Sequence, residues 1–96
     1  MDELQIVGDR IREFVMGKFP LARKRGIKDG DALLESGIVD SMGMLEIVSF
    51  IENRFNFQIL DEELVPENFR SIERLIAFVH DRKVNDPRSS VKRQSE

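Results

Sequence analysis

Residues 37–55 read GIVDSMGMLEIVSFIENRF. Within this stretch a loop turns into a helix at one point. Gly37 breaks any regular pattern. Asp40 suits a helix N-cap, because its carboxylate can accept hydrogen bonds from the free backbone N–H groups of a first turn. From Ser41 onward apolar residues recur at helical spacing, which predicts a helix from Ser41 to about Asn53 or Phe55. Two stripes run along it. Met44, Ile47, Val48, Ile51 and Phe55 form one, assigned to the core. Met42, Leu45, Ser49 and Glu52 form the other, flanked by Glu46. A surface helix needs only one apolar stripe, so Met42 and Leu45 beside acids read as a docking surface. The pattern also allows both stripes to be buried in a small bundle.

Toward the N-terminus, Leu4, Val7, Ile11, Phe14 and Val15 predict a helix over about residues 2–18. Asp2 and Glu3 suit its positive end and Lys18 its negative end. Phe19-Pro20 stops it, since the residue before a proline avoids the helical region. Between 20 and 40, Gly26, Gly30 and Gly37 and the turn-like KDGD interrupt the pattern. Leu33, Leu34, Ile38 and Val39 should nevertheless pack. The segment reads as a long ordered loop pinned by those side chains, with room for one short turn of helix.

Toward the C-terminus, Phe57, Ile59 and Leu60 are too short a run, without a partner, to be a strand. Residues 61–65 fit a single helical turn closed by Pro66. A last helix starts after Ser71, a good N-cap, and carries Ile72, Leu75, Ile76 and Val79, with Phe69 placed to staple against Leu75. The expected organisation is all-α: one domain over 1–82 and a disordered polar tail over 83–96. No internal repeat is present.

Composition narrows the chemistry. A chain of 96 residues makes one domain with a small core. It has no cysteine and one histidine, which excludes disulfides, thiol catalysis, cysteine-bound metal and a histidine-rich metal site. No run spans a bilayer and no signal pattern precedes the first helix, so a cytoplasmic location is expected; the chain is separately expected to be a monomer. From Asp31 to Glu67 nine acids face one base, Arg54. Such a block favours a basic protein partner and disfavours nucleic acid. The cluster Arg23, Lys24, Arg25 and Lys28 receives no role. The basic residues from Arg82 onward lack interleaved aromatics that would stack bases.

A nucleophilic Ser41 would need a base within hydrogen-bond reach. The sole histidine, His80, falls at the end of the last helix, and the strand-turn-helix setting of a hydrolase is missing. Enzyme activity is therefore not expected, and no catalytic residue or metal is assigned. Ser41 reads instead as a target. At a first helical position its hydroxyl faces solvent, and an attached anion meets unpaired N–H groups and the positive end of the helix dipole.

The run DALLESGIVDSM over 31–42, followed by an apolar helix ending at Phe55, resembles the acyl carrier protein family. The stretch LVPENFRSIERLIAFV over 64–79 is similar to that family's third and fourth helical segments, so the likeness covers about residues 3–80. It implies a four-helix bundle with a long loop between helices 1 and 2 and a short third helix. It further implies that a phosphopantetheinyl transferase, using magnesium, attaches 4′-phosphopantetheine from coenzyme A to Ser41, beside Asp40. The arm's thiol would carry acyl groups as thioesters, loaded by an acyl- or aminoacyl-activating ligase and passed to acyltransferases and synthases. By the same likeness, Met42, Leu45, Glu46, Ser49 and Glu52 would dock on basic patches of those partners, and the core could open to shelter a long apolar cargo. Gly43 and Met44 stand where fatty-acid carriers often have an acid and a polar residue. In this, DSMGM looks more like stand-alone carriers of secondary metabolism, or aminoacyl, peptidyl and D-alanyl carriers. Gly43 should also weaken the first turn by up to about 1 kcal/mol relative to alanine. An unmodified helical adaptor is the reading from outside this class.

Overall fold

A computed structural model describes residues 2–84. Its first helix, α1, spans Glu3–Lys18, and the Asp2 carboxylate accepts from the Leu4 N–H at 3.2 Å. Val7, Ile11 and Val15 are buried, whereas Leu4 is exposed. Phe19 is extended, as a pre-proline residue must be. Pro20 then opens a six-residue helix, α2 (Pro20–Arg25), which Gly26 ends in the left-handed conformation at φ 61°. The expected short turn inside the 20–40 segment is therefore a distinct helix. Two members of the unassigned basic cluster fasten it. Arg23 donates to the Met16 carbonyl at 3.0 Å and Arg25 to the Ser36 carbonyl at 3.0 Å. Arg23 thereby satisfies a carbonyl in the last turn of α1.

The loop from 26 to 40 is stitched down. Ile27, Leu33, Ile38 and Val39 are buried, while Leu34 stays partly exposed. The Leu33 N–H donates to the Arg70 carbonyl and the Glu73 N–H donates to the Asp29 carbonyl, both at 2.9 Å. Arg12 on α1 grips the Asp29 carboxylate with Nε at 3.0 Å and Nη2 at 2.8 Å. One loop residue thus joins α1 to Glu73, near the start of the last helix. The same bond holds the Asp29 carboxyl below the usual carboxylate range and raises Arg12.

The next helix, α3, spans Ser41–Phe55, with Asp40 as N-cap and Asn56 left-handed at its end. Residues 56–71 form no strand. Two short 3₁₀ turns, Asp61–Glu63 and Pro66–Phe69, stand where a short third helix was expected, and Pro66 opens the second rather than only closing the first. Helix α4 spans Ile72–Val84, and the Ser71 hydroxyl caps it by accepting from the Arg74 N–H at 3.2 Å. It continues two residues beyond the expected domain end at 82; the remainder of the expected tail, 85–96, lies outside the described residues.

Side chains from α1, α3 and α4 share one core, including Val7, Ile11, Ile47, Ile51, Leu75 and Val79. No helix among the described residues is long and apolar enough to cross a membrane. Among the described residues one cation is buried: Arg82, only 3% exposed. Its guanidinium pairs with Glu63, donates to the Gln58 carbonyl at 3.1 Å and lies 4.7 Å from the Phe57 ring centre. Glu63 also accepts from the Leu60 N–H at 2.8 Å, so this pair ties the 3₁₀ segment to the end of α4.

Glu63→Ala should lower stability by about 3 kcal/mol, because it removes the carboxylate that pairs with a buried guanidinium; urea unfolding measures this. Asp29→Asn should destabilise at neutral pH. Asp29 titrates lower in the folded state, so its contribution is present above the ordinary value near 3.8 and fades as pH falls through the folded value. Melts across pH 7 to 2 should show the variant and the parent converging at the acid end.

Candidate functional site

Ser41 occupies the first position of α3 and is exposed. The Asp40 carboxylate turns inward and accepts from the Gly43 N–H at 2.7 Å, while the Asp40 carbonyl accepts from the Met44 N–H at 2.9 Å. Two first-turn N–H groups, those of Ser41 and Met42, have no partner among the described residues. The hydroxyl therefore stands at a helix mouth that still has donors to offer an anion. Both residues expected at this site, Ser41 and Asp40, lie together as the capping pattern requires.

Gly43 has a packing reason that the sequence did not disclose. It is buried. A Cβ built on it would stand 2.7 Å from Cε1 of Phe19 and 3.1 Å from Cγ1 of Val39. The absent side chain lets the Phe19 ring lie against the first turn of α3. That contact fixes where the turn, and with it Ser41, emerges from the bundle.

The second stripe of α3 faces outward for most of its length. Met42 is 69% exposed and Leu45 61%. Ser49 and Glu46 are exposed too, and the Glu46 carboxylate lies 3.7 Å from the Lys18 ammonium. Glu52 departs from the expected docking set: its carboxylate accepts from the Ile59 N–H at 2.9 Å and is partly buried. The stripe drifts round the helix, so its last member meets the returning chain instead of solvent.

Beside Ser41 lies a groove of about 270 Å³ between α3 and the 64–69 segment. Met44, Leu45 and Val48 form its α3 wall, with Leu34, Leu64, Val65 and Phe69 opposite. Sequence periodicity gave no sign of Leu34, Leu64 or Val65 here, because all three come from irregular segments. Their partial exposure is the signal that marks them, at 38%, 47% and 40%. Apolar side chains left open beside an exposed hydroxyl make a surface suited to an apolar chain tethered at that oxygen.

No family model matches this chain, and no curated protein matches it. Among solved structures, it is similar to a holo acyl carrier protein from Nitrosomonas europaea determined by solution NMR. The two share 22% identity at a TM-score of 0.58, over 88% of this chain and 99% of that one. The fold is that of an acyl carrier protein.

Gly43→Ala should destabilise the protein by about 1–2 kcal/mol, although alanine gains roughly 1 kcal/mol in helix propensity, because the new methyl overlaps Phe19. Adding Phe19→Leu should make the Gly43→Ala cost smaller than it is in the parent. A double-mutant cycle by chemical denaturation measures that coupling.

Proposed function

We propose that this protein is a cytoplasmic, monomeric acyl carrier modified on Ser41 by 4′-phosphopantetheine. The observation that carries the reading is the exposed Ser41 hydroxyl at the mouth of α3, next to free N–H groups and an apolar groove. The Ser41 oxygen would become one ester oxygen of a phosphodiester, its proton passing to the modifying transferase as the pyrophosphate bond of coenzyme A breaks and adenosine 3′,5′-bisphosphate leaves. The first-turn N–H groups of α3 favour the resulting negative charge. Asp40, already bonded to the Gly43 N–H, keeps its own charge turned toward the cap. When attached, the group supplies the thiol that a chain without cysteine lacks, and that thiol holds the acyl group as a thioester.

The chain performs no bond chemistry of its own in this reading. A phosphopantetheinyl transferase, an activating ligase, and acyltransferases or synthases act on what it presents. Met42, Leu45, Glu46 and Ser49 offer these partners a mixed apolar and acidic contact, which should be fast, weak and salt-sensitive. The groove at Ser41 favours an apolar acyl cargo over a small polar aminoacyl one, since its lining is mostly apolar.

Intact-mass measurement tests the modification. The apo-protein incubated with coenzyme A, magnesium and a broad-specificity phosphopantetheinyl transferase should gain the mass of one phosphopantetheine moiety. Ser41→Ala should gain nothing while remaining folded by circular dichroism. A folded parent that gains no mass removes the carrier reading and leaves a helical adaptor.

A further inference from the structure

The groove beside Ser41 is closed at its far end. Its α3 wall runs from Ser41 through Met44 and Leu45 to Val48 and reaches no further. The next residue on the face of Met44 and Val48 is Glu52, one helical turn on. Its partly buried carboxylate accepts from the Ile59 N–H at 2.9 Å, which lays the returning chain across the helix just past Val48. Glu52 is therefore turned away from the outward stripe and toward the end of the groove.

The same segment is tied from the other side. Glu63 accepts from the Leu60 N–H at 2.8 Å and pairs with buried Arg82, which donates in turn to the Gln58 carbonyl at 3.1 Å. Asn68 Nδ2 donates to the Glu63 carbonyl at 2.9 Å and closes the loop that carries Leu64 and Val65. At the near end the Leu33 N–H, bonded to the Arg70 carbonyl at 2.9 Å, holds the Leu34 wall in place. A stop fastened to two helices sets a length, where a loose one would yield to its occupant. From Ser41 to Val48 the helix rises about 10 Å. With C–C bonds near ~1.5 Å, an extended chain of roughly eight carbons covers that distance. The groove volume of about 270 Å³ also suits one short occupant.

We infer that Glu52 is a specificity-determining residue: through its bond to Ile59 it stops the groove and limits the sheltered part of an acyl chain to about eight carbons. Methylenes beyond that length turn out into water or press on a segment held by charge-assisted bonds, and neither gives further burial. The inference rests on the carrier reading and adds a chain-length class to it. It also gives the inward turn of Glu52 a purpose that docking does not.

A chain-length series tests it. The full-length apo-protein is loaded on Ser41 by a broad-specificity phosphopantetheinyl transferase from straight-chain acyl-coenzyme A of four to fourteen carbons, in even steps, with loading checked by intact mass. Up to eight carbons, each added methylene should raise the urea midpoint by about 0.3 M, because a groove with partly exposed walls buries a share of each. Past eight the rise should stop. The Ile59 amide should shift in NMR spectra only from eight carbons onward. Val48→Phe fills the groove one turn earlier and should bring the break down to about four carbons. Glu52→Gln still accepts from the Ile59 N–H and should keep the break at eight, whereas Glu52→Ala should move it past ten. Should Glu52→Ala fail to fold, Val48→Phe, Glu52→Gln and the Ile59 amide still decide the matter. A midpoint that climbs evenly to fourteen carbons, one indifferent to chain length, an unshifted Ile59 amide, or a break left in place by Val48→Phe or by folded Glu52→Ala would each overturn the length limit. Loading that fails altogether removes the carrier reading itself; ordinary loading without a break removes the length limit alone.

Discussion

The edge of Phe19 comes so close to Gly43 that even a methyl group would stand 2.7 Å from the ring. Phe19 is the extended residue between α1 and α2, and Gly43 lies in the first turn of α3. Their contact couples the end of one helix to the beginning of another across more than twenty residues of chain. Phe19 also meets Phe14 edge-on, with ring centres 6.2 Å apart, and Phe14 stacks on Phe50. An aromatic chain thus runs from beneath the Ser41 turn along the α1–α3 seam. Because close-packed side chains transmit displacement, the position of the hydroxyl depends on how that seam is filled.

A core this small needs help from polar bonds, and those bonds fall where the chain is irregular. Asp29 binds Arg12 through its carboxylate and Glu73 through its carbonyl. Glu63 binds Arg82 and the Leu60 N–H. Glu52 binds the Ile59 N–H. Each acid replaces a missing ladder of backbone hydrogen bonds in a loop that regular structure does not organise. Two of these acids, Glu52 and Glu63, belong to the 31–67 block and serve the fold. The net charge of that block overstates what remains free to attract a partner.

Helix α3 divides its surface among three tasks. Ile47 and Ile51 enter the core. Met44 and Val48 line the groove next to Ser41, and Phe50 and Arg54 line a trough facing α1. Leu45 borders both openings.

Local rules written into adjacent residues determined much of this protein from sequence alone. The Asp40–Ser41 cap, the span of α3, the break at Phe19-Pro20, the Ser71 cap and the buried positions Val7, Ile11, Ile47, Ile51, Leu75 and Val79 all follow from hydrogen-bond and periodicity constraints that act within a few residues, whereas Met44 and Val48 of the expected core stripe are only partly buried. Those constraints also placed the Ser41 hydroxyl, exposed at the start of α3. Tertiary structure alone decided why residue 43 is glycine, which way Glu52 turns, what Arg23 and Arg25 hold, and that Leu34, Leu64 and Val65 gather beside Ser41. Each of these depends on atoms distant in sequence that approach only once the chain has closed. No periodicity within a segment encodes what the segment will meet.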